Sequence, residues 1–106
     1  MKVKLLPKYR MGIHTYSLSL DRNIRTDDAD IGQVSHREQT IKIWTDAPLS
    51  MKNETLVHEV IEIGKFMYRV QIDDADIDRV AECVCEFLMN NLGIEFDWSD
   101  IPQDIK

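Results

Sequence analysis

The chain has few residues that cross-link or interrupt a small protein: its 106 residues include two cysteines, three prolines and four glycines. So few cysteines exclude the disulfide framework of many small secreted domains and favour a reducing compartment. Cys83 and Cys85 are two residues apart in an expected helix, so their side chains should diverge and share neither a disulfide nor a metal. No linker-like stretch is present, which predicts a single domain over residues 1–106.

Long apolar runs and positive charge are also scarce. No segment has the length of a membrane span, and the first residues, MKVKLLPKYR, lack the apolar stretch of a signal peptide. Lys and Arg number 13 against 19 Asp and Glu, which gives a formal net charge of -6. Without a basic run to follow phosphates, we expect no nucleic-acid partner, and we expect no membrane partner either. Cations or basic partners suit this charge better.

Of all residues, 43% are hydrophobic. In the first half of the chain they alternate with polar residues, which is the pattern of strands. Ile41 and Ile43 alternate with polar residues and should face the core. The acidic stretch Asp21–Asp30 lacks periodicity and is predicted to be a loop. The predicted strands are Lys2–Leu6 and Ile13–Leu20, followed by a hairpin of Gly32–His36 and Thr40–Trp44 joined by Arg37–Gln39.

The second half has helical periodicity. Ser50 is a suitable N-cap for a helix over about 51–68, and Asp73 and Asp76 resemble a capping box for a second helix over about 74–92. Gly93 should end that helix in the left-handed region. The tail, about 94–106, should pack back through its apolar residues. The predicted fold is therefore α+β, with a small antiparallel-rich sheet of about four strands packed on the two helices. Apolar stripes along the helices should face the core, namely Leu56, Val60, Ile63 and Met67 in the first and Ile77, Val80, Ala81, Val84, Phe87 and Leu88 in the second.

The first of these helices contains the string HEVIE, close to the zinc-protease motif H-E-x-x-H. His58 and Glu62 are four residues apart, so both project from one face and can reach one ion. Imidazole nitrogen and carboxylate oxygen are both competent zinc ligands. Glu59 is rotated by about 100° from His58 and would lie beside the metal, where a general base belongs.

A catalytic zinc needs a third protein ligand, and the second helix offers two candidates. Asp78 and Glu82 lie four residues apart beside its apolar stripe, and the spacing leaves open which of them faces His58. The alternative is that both are solvated helix residues. His14 and His36 are not expected in the site, since His36 at a strand end should be exposed to solvent.

The order of these motifs resembles a known family, the very small zincin-like metallopeptidase-type proteins of bacteriophages and prophages. The resemblance is carried by Gly32–Ile43, which ends in T-I-x-I, by Glu54–Glu62 with E-T-L-x-H-E-x-x-E, and by Ile77–Ala81. Together these stretches and their spacing cover roughly residues 32–91, which is far more specific than the five-residue motif alone.

The resemblance implies a minimal zincin in the cytoplasm of a bacterial host. Its ion would be zinc or another divalent cation, and an extended peptide would add beside the strand Thr40–Trp44. Glu62 occupies the position of the second histidine in the H-E-x-x-H motif, and Asp78 occupies a position where many relatives have Glu. These changes make the site harder and more anionic, so it should hold zinc less firmly and tolerate other divalent ions better. The implied roles are His58, Glu62 and Asp78 as metal ligands and Glu59 as catalytic base.

Three functions are consistent with these features. The first is a metal-dependent peptidase in which Glu59 takes a proton from metal-bound water and passes it to the leaving amine. The second is a zincin-like fold without catalysis that serves a phage as a binding or regulatory protein. The third is an interaction module in which the two amphipathic helices and the region of Trp98 support oligomerisation.

Overall fold

In a computed structural model of the chain, the structure describes residues 1–24 and 31–104. Within these residues, two α-helices, a π-helical segment and six strands form an α+β fold, the class that the sequence predicted. A four-stranded sheet has the order β2-β3-β5-β4, and β1 and β6 form a separate parallel pair. The strands are β1 Lys2–Lys4, β2 Lys8–Met11, β3 His14–Asp21, β4 Gly32–Ser35, β5 Thr40–Trp44 and β6 Glu95–Asp97.

The main sheet is antiparallel except at its centre. β2 pairs with β3 and β4 with β5 in antiparallel fashion, whereas β3 and β5 run parallel, with Leu18 opposite Ile41 and Leu20 opposite Ile43. The predicted hairpin of β4 and β5 is confirmed, and both isoleucines are buried. The predicted loop Asp21–Asp30 lies partly outside the described residues. Asp21 itself is buried and ends β3.

Sequence analysis missed β2. This strand is short and mostly polar, but Tyr9 and Met11 alternate with charged residues and pack against the core. Its turn into β3 contains Gly12 at a φ of +64°, a left-handed conformation that glycine adopts without strain. The alternation in Lys8–Met11 was the available signal, but four residues are too few for periodicity to outweigh their polarity.

The first helix, α1, spans Leu49–Tyr68, two residues longer at its start than predicted. Pro48 is its N-cap and Ser50 lies inside the helix, so the prediction that Ser50 caps it is wrong. The fixed φ of proline is compatible with helix initiation, which here proceeds without a side-chain cap. The face toward the sheet buries Leu56 and Ile63, but Val60 is 38% exposed, contrary to the predicted stripe.

The second helix, α2, spans Asp74–Cys85 and packs against α1. Asp73 accepts a hydrogen bond from the backbone N–H of Asp76 at 2.8 Å, which confirms the predicted cap. The helix continues as a π-helical segment, Glu86–Asn91, and Gly93 follows with a φ of +68°, so the predicted end was right although the last turns are not α-helical. Three predicted core residues of this region, Val80, Val84 and Phe87, are exposed instead.

The core lies between the four-stranded sheet, α1 and the tail. As predicted, the tail packs back: β6 pairs with β1, Ile101 is buried, and Phe96 and Trp98 pack on the core. Burial of each large aliphatic side chain contributes about 1.5–3 kcal/mol. Among the described residues, no helix is long and apolar enough to cross a membrane. The buried cluster consists of Leu5, Tyr16, Leu18, Ile41, Ile43, Leu56, Ile63 and Ile101.

Candidate metal and catalytic cleft

The packing of α1 against α2 and of α1 against β4 creates a cleft of about 390 Å³. The HEVIE segment lies in the middle of α1, so His58 and Glu59 both reach this cleft, and Asp78 reaches it from α2. Three of the four predicted site residues therefore line one cavity. The remaining lining residues are Ile31, Gly32, Met51, Glu54, Thr55 and Asp74.

His58 contacts two carboxylates through its two different ring nitrogens. Its Nδ1 lies 2.6 Å from Oδ1 of Asp78, and its Nε2 lies 3.8 Å from Oε1 of Glu62. The buried Nδ1 makes no contact of hydrogen-bond geometry, so the short approach to Asp78 is a close contact without a directed hydrogen bond. Imidazole nitrogen and carboxylate oxygen are both ligand atoms for divalent ions, but at 2.6 Å they are too close to hold an ion between them, so the two side chains would have to separate to bind one.

Glu62 is the predicted ligand that fits least well. Burial raises the pKa of its carboxyl, and a hydrogen bond that its protonated form donates to Asp74, together with the negative charge of Asp74, raises that pKa further. Lys65 and His58 act in the opposite direction. Because metal ligation requires the deprotonated carboxylate, a carboxyl turned toward Asp74 is a weaker ligand than Asp78.

Glu59 is buried, with 5% of its surface exposed, where α1 packs on β4. A Cβ at Gly32 of β4 would lie 3.2 Å from Oε2 of Glu59 and only 2.4 Å from Cγ2 of Thr55. The missing side chain at Gly32 therefore lets α1 approach the strand and brings the Glu59 carboxylate against it. This places the predicted general base between the histidine and the edge of the sheet.

The predicted ligand set is brought together only in part. His58 lies close to Asp78 and to Glu62, but on opposite sides of its ring. Within residues 1–24 and 31–104, no group of three or more His, Cys, Asp or Glu side chains converges as a metal ion requires. A divalent ion at this cleft, and zinc in particular, therefore stays a prediction.

Comparisons with protein-family models, with curated proteins and with solved structures found no match to this chain. The zincin-like resemblance therefore stays a prediction from the motif and its spacing.

Two expectations about neighbouring strands and histidines were wrong. The strand Thr40–Trp44, β5, is flanked by β3 and β4, so the edge strand beside the cleft is β4.

His36 is half-buried rather than exposed: its ring stacks on Phe66 at 3.9 Å, and Nδ1 is hydrogen-bonded to the Tyr16 hydroxyl at 3.0 Å. A parallel β3–β5 pair and a contact to a distant helix are tertiary features that a hairpin pattern does not reveal.

Sequence reasoning did not place Glu54 and Asp74 at the cleft, although both line it. Each lies four residues before a predicted site residue, Glu54 before His58 and Asp74 before Asp78, and so shares its helix face. That spacing was the signal that could have identified them, and they make the cleft strongly acidic.

Proposed function

We propose that the cleft binds a divalent cation between His58 and Asp78 and that the protein is a zincin-like, metal-dependent peptidase of a phage or prophage. The observation that carries this proposal is that His58, Asp78 and the buried Glu59 line one cleft beside the edge strand β4. The chemistry of the donors fits a hard or borderline ion, since one imidazole and carboxylates are ligands for zinc and for harder divalent ions.

A bound divalent ion would supply Lewis-acid polarisation of the scissile carbonyl and a lower pKa for attacking water. The protein's own contribution is the Glu59 carboxylate, which would take the proton from that water and deliver it to the leaving amine. Among the described strands β4 is paired only with β5, so an extended peptide can add along its other side and pass Glu59 at Gly32. The proposed compartment is the reducing cytoplasm of a bacterial host, in accord with the free thiols of Cys83 and Cys85.

The proposal is tested by metal analysis of protein purified without a histidine tag. We expect about one equivalent of divalent metal per chain and loss of that metal in the His58→Ala variant with its circular dichroism unchanged. A matched control is His14→Ala, which removes an imidazole that contacts Gln39 outside the cleft. Protein that holds no metal and does not respond to added zinc, manganese or cobalt would contradict the proposal.

A second candidate function is a zincin-like binding or regulatory protein without catalysis. The observation that favours it is the turn of Glu62 toward Asp74, which leaves His58 and Asp78 as the closest ligand pair. The two candidates differ in the role of Glu59. Glu59→Gln should abolish cleavage of a peptide library while metal content persists if the protein is a peptidase, whereas the second candidate predicts metal binding without cleavage in either form.

A further inference from the structure

A second groove, of about 720 Å³, lies next to the His58 cleft, at the start of α1 and the end of α2. It runs between the start of α1, the π-helical segment after α2, and the segment around β6. A π-helical turn inside a helix is rare and is frequent at functional sites. The apolar part of the groove is formed by Leu49, Met89, Ile94, Phe96 and Trp98.

Buried polar contacts hold the floor of this groove. Asn53 is buried in α1, and its Oδ1 accepts a hydrogen bond from Nε1 of Trp98 at 2.8 Å. The Nδ2 of Asn53 in turn lies 3.9 Å from the sulfur of Met89 in the π-helical segment. The Asn53 side chain thus contacts both Trp98 and Met89 of the floor. At the rim, Leu49 is 58% exposed and available to an incoming side chain.

The rim of the groove is acidic. The described residues that line it include five carboxylates and a single cation, Lys2. Hydrogen bonds from Ser99 lower the pKa of Asp97 and keep it ionised. Burial raises the pKa of the Cys85 thiol inside the groove, and the charge of Glu54 raises it further. The carboxylates are Glu54, Glu82, Glu86, Glu95 and Asp97.

Glu54 lines both this groove and the His58 cleft, so the two share one acidic flank of the helix pair. An apolar floor with an acidic rim is complementary to a segment that carries large apolar side chains flanked by Lys or Arg. We propose that this groove docks a basic segment of a partner polypeptide, whose apolar side chain enters between Leu49, Met89 and Trp98. The groove's volume lies in the range of pockets that bind ligands.

The probe is a synthetic amphipathic peptide with lysine and leucine at helical spacing, titrated into the full chain and followed by NMR. We expect the largest shifts at the Trp98 indole N–H and the Met89 methyl group, and weaker binding as salt rises. The same peptide with glutamate in place of lysine should not bind. Largest shifts at His58, or at the exposed Val60 and Val80, would place the peptide elsewhere and overturn the proposal.

Charge variants separate docking from general attraction to an acidic protein. Glu86→Lys should weaken binding about fivefold. Glu38→Lys makes the same charge change at the hairpin turn between β4 and β5 and should stay within about twofold of wild type. Equal weakening by both variants would overturn the proposal. Glu82→Lys is a second rim variant, so the result does not depend on the folding of one protein.

Variants at apolar positions test, in the same titration, whether the peptide contacts the apolar side chains of the groove. Leu49→Ser should weaken binding, whereas Ile13→Ser, which removes an 88% exposed side chain at the β2–β3 turn, should not. If neither variant weakens binding, the peptide is held by charge alone, and the proposed apolar contact is overturned. Metal content is the independent readout: Glu86→Lys should leave it unchanged, so docking and the metal site can fail separately.

Discussion

Oδ1 of Asp78 lies 2.6 Å from Nδ1 of His58, so a carboxylate of α2 meets the imidazole of α1 across the packed helices. Glu82, the next carboxylate on the same strip of α2, lines the neighbouring groove instead. The helical spacing left both residues open as partners of His58. The packing of the helices places Asp78, and not Glu82, beside His58.

Asp78→Asn should therefore weaken binding of zinc or cobalt, because a neutral amide replaces the carboxylate nearest to His58. The expected loss is at least the roughly 10- to 100-fold that is usual when a partner of a metal ligand is removed. Calorimetric titration measures it, and Glu82→Gln serves as the matched control on α2. Similar affinities for the two variants would contradict the assignment of Asp78.

Gly32→Ala should destabilise the protein, because the new Cβ would meet Cγ2 of Thr55 at 2.4 Å. Overpacking of this kind costs about 1–3 kcal/mol, measurable as a lower midpoint of urea unfolding. The matched control is Gly64→Ala in α1, where no atom lies within 4 Å and the helix should gain about 0.5–1 kcal/mol. Adding Thr55→Ser to Gly32→Ala should recover part of the loss, since serine lacks the clashing methyl group.

Asn53→Ala should cost about 1–2 kcal/mol of unfolding free energy, because the half-buried Trp98 indole loses its acceptor. Asn90→Ala, at an exposed asparagine of the π-helical segment, should change it by less than about 0.5 kcal/mol. A double-mutant cycle with Trp98→Phe checks the cause. If the hydrogen bond is responsible, the second substitution should cost much less in the Asn53→Ala background.

Stability should fall at acidic pH through His36. Burial lowers the pKa of its imidazole below the ordinary value of 6.5, so the unfolded chain takes up the proton first as pH falls. The contribution of the neutral ring is complete above pH 6.5 and is lost as pH falls through 6.5 toward the folded-state pKa. His36→Phe keeps a ring against Phe66 and cannot titrate.

The comparison of wild type with His36→Phe isolates this residue, because both proteins retain the other two histidines. Unfolding free energies measured between pH 5 and 8 should differ by a constant amount above pH 6.5. Below that value the wild type should lose stability relative to the variant. A difference that does not depend on pH would contradict the buried, neutral state of His36.

Much of the local structure was accessible from short patterns. Alternation identified β3, β4 and β5 with Ile41 and Ile43 inside, and Asp73 with Asp76 identified the start of α2. These features depend on neighbours in sequence, which a pattern records directly. The errors concern weak or competing local signals: β2 is short and polar, and Pro48 rather than Ser50 begins α1.

In the candidate site, too, some features depend on neighbours in sequence and others on tertiary packing. The helical spacing of HEVIE by itself determined that His58 and Glu62 share a face of α1, and the composition determined the formal net charge of -6. Only the tertiary structure decided that Asp78 rather than Glu82 meets His58, that Glu62 turns toward Asp74, and that β4 rather than β5 borders the cleft. Those outcomes depend on how α2 and the sheet dock on α1, and docking is determined by side-chain packing between distant segments rather than by the spacing within any one of them.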